Sequence, residues 1–95
     1  MKGYIFAEIE VTDPETYKQY MPLAAAAISA FGGRYLVRGG EVAVLEGESP
    51  PPRTVLLEFA SPEQAKAFFT SPQYQQAASI RRRSARGRVL LLAGT

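Results

Sequence analysis

The sequence contains no cysteine and no histidine. The first absence excludes disulfides, thiolate nucleophiles and cysteine-ligated metals. The second removes the side chain that most often moves protons near neutral pH, the commonest metal ligand and the usual proximal haem ligand. Any catalysis therefore rests on Glu, Asp, Arg, Lys, Tyr or Ser, or on a bound cofactor. Asparagine is also missing, and arginine outnumbers lysine eight to three. No apolar run approaches the roughly 20 residues that span a bilayer. Because the N-terminus also lacks a basic region followed by an apolar stretch, the chain is read as cytoplasmic, with no membrane partner. A phosphate loop, a Gly-x-Gly-x-x-Gly turn, metal-ligand spacing and a serine nucleophile elbow are all missing, so neither a metal nor a cofactor is expected.

The composition, 46% hydrophobic and 21% charged, suits a folded globular protein. Its 95 residues fit one domain, spanning 1–95, that buries roughly 60 to 70% of the surface of the unfolded chain.

Tyr4 to Val11 alternate with a period of two and read as a strand, with Ile5, Ala7, Ile9 and Val11 on one face and Tyr4, Phe6, Glu8 and Glu10 on the other. Asp13 and Pro14 then supply a cap and a first-turn proline. Tyr17, Tyr20 or Met21, Ala24, Ile28 and Phe31 give a helical stripe that stops at Gly32-Gly33, with a kink or restart expected at Pro22. Arg34 to Arg38 read as a second strand, Gly39-Gly40 as a bulge or turn, and Gly47 to Arg53 as a loop stiffened by Pro50 to Pro52. Arg53 to Phe59 read as a third strand. Ser61-Pro62 and Ser71-Pro72 each start a helical piece, about Pro62 to Thr70 and Pro72 to Arg83. Gly87 is expected to close the second piece before a last strand, Val89 to Leu92. The order β-α-β-β-α-β predicts an α+β, ferredoxin-like fold: a four-stranded antiparallel sheet with its helices on one face.

The third and fourth strands carry apolar residues on both faces, whereas two short helices can cover only one. Tyr4, Phe6, Leu56 and part of the last strand are left without cover, which predicts pairing of the chain with itself through that sheet face. The alternative is that loop residues 39–52 fold back over it.

Glu8, Glu10 and Glu58 are assigned to this uncovered side, with Arg34 and Arg38 of the second strand as the cations near them. Such a cluster is either a small ligand site or an ion-pair network that fixes the register of the pair. Tyr17 and Tyr20, three apart, can flank a pocket. Ligand-binding candidates are therefore Glu8, Arg34, Tyr35, Arg38, Glu58 and Tyr17. Charge is uneven: up to Lys66 there are six bases and nine acids, and beyond it five arginines, Arg81, Arg82, Arg83, Arg86 and Arg88, with no acid. Consecutive helical positions point about 100° apart, so Arg81 to Arg83 form no stripe, and nucleic acid is not expected as a partner.

The stretch Gly32 to Gly40 (GGRYLVRGG) with Leu45-Glu46-Gly47 resembles the bacterial family called domain of unknown function 1330 (DUF1330). The resemblance continues through Thr12-Asp13-Pro14 with Tyr17 and Tyr20, Leu57-Glu58-Phe59 and Ser71 to Gln75. It implies a place among the dimeric α+β barrels, whose members include cofactor-independent monooxygenases, haem enzymes and proteins without assigned activity. It therefore implies a homodimer with a cleft in each subunit. Two positions depart from the family pattern. Pro22 stands about one turn before the usual proline, at Ala25, and Leu92-Ala93-Gly94 lacks the acid that often precedes that glycine. The family has no established reaction, so the resemblance carries fold and pairing and no mechanism. The functional expectation is a homodimeric small-molecule-binding protein or an enzyme of unknown reaction. The alternatives are a cofactor-independent monooxygenase-like enzyme and a structural or regulatory dimer.

Overall fold

A computed structural model describes residues 1–49 and 52–95. Seven elements follow one another: β1 (Gly3–Val11), α1 (Pro14–Ala30), β2 (Arg34–Arg38), β3 (Arg53–Phe59), α2 (Pro62–Thr70), α3 (Pro72–Ser84) and β4 (Ala85–Ala93). The strands form one sheet in the order β2-β3-β1-β4, with all neighbours antiparallel. This is the expected ferredoxin-like α+β arrangement. The extended form expected of Pro50 and Pro51 lies outside the described residues.

The helix ends follow from local chemistry. The Asp13 carboxylate accepts from the Thr16 backbone N–H and hydroxyl at the start of α1, and the Ser61 and Ser71 hydroxyls accept from the N–H groups of Gln64 and Tyr74. At the end of α1, Gly33 N–H reaches the Ile28 carbonyl and Gly32 N–H the Ser29 carbonyl, with Gly32 at φ +73°, where only glycine is free of Cβ strain. Pro22 does not restart the helix. It lies on an exposed part of a continuous α1. The buried stripe Tyr17, Ala24, Ala27 and Ile28 holds the turns on either side of the missing N–H against the rest of the protein.

All three helices pack on the sheet face that carries Ile5, Leu57 and Phe59. Ala24, Ala27 and Ile28 of α1, Ala65 and Phe68 of α2, and Tyr74, Ala77 and Ala78 of α3 complete the core. Phe68 stacks at a tilt on Phe59 and Tyr74, with ring centroids 4.9 and 4.5 Å apart. Ser84 ties the two ends of the chain's architecture together: its carbonyl accepts from the N–H groups of Thr12 and Asp13 at the β1–α1 junction.

One element differs from expectation. Gly87 does not close a helix, because α3 ends at Ser84 and β4 begins at Ala85. Gly87 sits inside the strand opposite Ile9 at φ +150°, where a Cβ would come within 1.8 Å of the Glu8 carbonyl oxygen. The loop named as the alternative cover is itself open to solvent over its described middle. Residues 41–49 are exposed, and Leu45 is 96% so.

Candidate functional site

Between α1, α3 and the sheet lies a recess, open at its mouth, with a cavity volume of about 40 Å³. The walls are apolar side chains of the sheet, such as Ile5, Ile9 and Val55, and Ala24 and Ile28 of α1. The polar groups facing it are four tyrosines, Tyr17, Tyr20, Tyr35 and Tyr74, and three arginines, Arg38, Arg53 and Arg81.

Each polar group arrives there by its element's period. Tyr17, Tyr20, Ala24 and Ile28 follow one stripe of α1, with the small Ala24 leaving space between larger neighbours. Tyr74, Ala77, Ala78 and Arg81 are spaced i, i+3, i+4, i+7 on α3, so Arg81 alone of the arginine run turns inward. Arg53 alternates with Val55, Leu57 and Phe59 on the helix-covered side of β3.

Tyr35 and Arg38 require a local irregularity. Strict alternation would put Arg38 on the face of Arg34, but the register of β2 against β3 shifts between Tyr35 and Val37. Tyr35 pairs with Leu57 and Arg38 with Val55, while Arg34 pairs with Glu58 and Val37 with Leu56. Leu36 is the extra residue of a bulge, and it turns Arg38 to the helix side.

Electrostatically the recess is one-signed. Among the described residues no carboxylate lines it, and Arg38, Arg53 and Arg81 form no salt bridge. Among the described residues the buried Nε atoms of Arg53 and Arg81 have no hydrogen-bond partner. The Arg38 guanidinium carbon lies 4.3 Å from the Tyr35 ring centroid, and that of Arg53 lies 5.9 Å from the Tyr17 centroid. Tyr20 and Tyr74 share a hydrogen bond of 2.9 Å between their hydroxyls. Burial, then the neighbouring Tyr74, pushes the Tyr20 phenol far above its usual value. Burial also raises Tyr35, against the opposing pull of Arg38 and Arg53.

The six candidate residues divide between the two faces. Tyr17, Tyr35 and Arg38 line the recess; Glu8, Arg34 and Glu58 lie on the opposite side of the sheet. There Arg34 Nε donates to Glu58 at 3.0 Å, Arg88 Nε to Glu8, and Arg86 Nε to Glu10 at 2.9 Å. The expected convergence of Glu8, Arg38 and Glu58 does not occur within the chain, because the bulge separates Arg38 from the two carboxylates. Sequence reasoning missed Arg53, Arg81 and Tyr74 in the recess, although the periods of β3 and α3 carry the signal for all three.

The opposite face has its own pattern. Val37, Leu56, Phe6 and Leu90 form an apolar row across the four strands, with Tyr4 and Leu92 beside it. Ion pairs flank this row at both ends: Arg34–Glu58 on one side, Arg88–Glu8 and Arg86–Glu10 on the other.

The sequence matches the family described as Domain of unknown function (DUF1330) over residues 2–95. No curated protein matches it. Among solved structures, the RPA0582 protein of unknown function from Rhodopseudomonas palustris superposes with a TM-score of 0.76 at 16% identity, covering 99% of this chain and 82% of that one. A dimeric ferredoxin-like protein of unknown function from Jannaschia sp. CCS1 gives 0.68 at 14%, covering 100% and 99%. SnoaB, a cofactor-independent oxygenase from Streptomyces nogalater, gives 0.62 at 12%, covering 99% and 93%. At these identities the similarity establishes the fold.

Proposed function

The chain belongs to the DUF1330 family, and from that premise we propose that it is a homodimeric small-molecule-binding protein whose ligand occupies the recess between α1, α3 and the sheet. The observation that carries this reading is the recess itself: apolar walls with a few polar groups among them, the lining typical of ligand sites. A dimer serving structure alone has no use for Arg53 and Arg81, half-buried beside the recess and, among the described residues, without acidic partners. The test is a thermal-shift screen of small organic compounds, neutral and charged, on the wild type and on Ala24→Leu, which fills the recess. Compounds that raise the melting temperature of the wild type and leave the variant unmoved support the reading. An empty screen, or hits indifferent to Ala24→Leu, contradicts it.

Pairing is proposed through the open sheet face. An apolar centre with a charged rim is the anatomy of a protein interface, and a two-fold partner would bring the same row against itself. The dimeric state of the Jannaschia protein of like fold supports this.

A further inference from the structure

Resting on the proposed ligand site, we infer that the recess selects a small organic anion, a single carboxylate or enolate carried on a ring. The two sides of the sheet treat their arginines in opposite ways. On the open face Arg34, Arg86 and Arg88 each meet a glutamate within the chain. On the recess side the exposed Arg38 and the half-buried Arg53 and Arg81 line the space from three different elements, and among the described residues none meets a carboxylate.

Cations left without counter-charge beside apolar walls repel one another and forgo hydrogen bonds, and burial makes this more costly. The Nε atoms of Arg53 and Arg81 are cut off from solvent and, among the described residues, have no acceptor. A ligand oxyanion entering the recess relieves both penalties at once, since a guanidinium fork matches a planar carboxylate. The groups facing the site from every packed element are phenols and guanidiniums, and the phenols of Tyr20 and Tyr35 are held in their neutral, hydrogen-bonding form.

The rest of the wall fixes the other half of the ligand. Ile5, Ile9 and Val55 offer apolar surface opposite the tyrosine rings, and an aromatic or other conjugated ring fills such a space by stacking and dispersion. The narrowness of the free space limits the ligand to about one ring before side chains must move.

Calorimetric titration of the full chain with four probes tests this: benzoate, benzamide, benzylamine and acetate at neutral pH. Benzoate is expected to bind about tenfold or more tightly than each of the other three, the discrimination a charge-assisted hydrogen bond supplies. Arg53→Gln and Arg81→Gln, which keep a polar side chain and remove the charge, should each weaken benzoate by about tenfold. Arg82→Gln, outside the recess, should leave it unchanged. Equal binding of benzoate and benzamide overturns the anion inference and leaves the ligand site standing. Equal binding of acetate overturns the ring. Failure of all four to bind overturns both the inference and the site. If an arginine variant does not fold, the ratio of benzoate to benzamide on the wild type decides.

Discussion

The hydroxyls of Tyr20 and Tyr74, two residues that line the recess, lie 2.9 Å apart and join α1 to α3. Either oxygen alone would be a polar group held among apolar neighbours. Tyr20→Phe and Tyr74→Phe are each expected to destabilise the protein by about 1 to 2 kcal/mol, because each leaves the other hydroxyl unpaired. Replacing both removes the orphan, so the double variant should lose less than the sum of the single losses. Urea denaturation of the four proteins of this cycle measures the coupling; strict additivity would show that the bond contributes nothing.

The same pair predicts an alkaline limit. A phenol whose folded-state pKa is raised above the ordinary 10.0 keeps its full stabilising contribution below that value. It loses this contribution as pH rises above it, because the unfolded chain releases its proton first. Stability should therefore fall above about pH 10, and the fall should be shallower in Tyr20→Phe. Equal alkaline slopes in the two proteins would contradict the burial of that phenol.

Pairing through the open face predicts that charge placed in its apolar row separates the copies. Phe6→Glu or Leu90→Arg should convert a dimer into a folded single chain by sedimentation at micromolar concentration, with the helical circular dichroism retained. Phe6 stands in the middle of the row and Leu90 at its β4 end, where in a two-fold pair an unpaired charge is set against apolar surface of the second copy. A single-chain wild type under the same conditions would remove the proposed interface.

Gly87 is a position where a methyl group cannot be accommodated. Gly87→Ala brings Cβ against the Glu8 carbonyl and forces a non-glycine residue to φ +150°. A loss of about 2 kcal/mol or more is expected by thermal or chemical denaturation. A neutral substitution would mean that β4 relaxes away from β1 at this point.

Much of the fold was readable because its signals are local. The Asp13, Ser61 and Ser71 caps and the alternation of β1 and β3 define elements through nearest neighbours. Gly87 misled because a glycine after a helix is usually a stop, whereas here its role is close approach of β4 to β1, a contact with a residue far along the chain. The site was less legible for a related reason. Alternation assigned Arg34 and Arg38 to one face, and the single extra residue Leu36 reverses the second of them without any marker such as glycine. Arg81 was hidden in a run of three arginines. Only its spacing from Tyr74, Ala77 and Ala78 distinguishes it from Arg82 and Arg83, which are exposed.

The two sides of one sheet are proposed to take different tasks, ligand on the helix side and a second copy on the open side. Methyl-resolved NMR of the chain titrated with benzoate tests that division most directly, because methyl groups of adjacent strand residues report on opposite faces. The account predicts that the shifts concentrate on Ile5, Ile9, Ala24, Ile28 and Val55 around the recess. Shifts confined to Val37, Leu56, Leu90 and Leu92, beside Glu8 and Glu58, would place the ligand on the other face and contradict it.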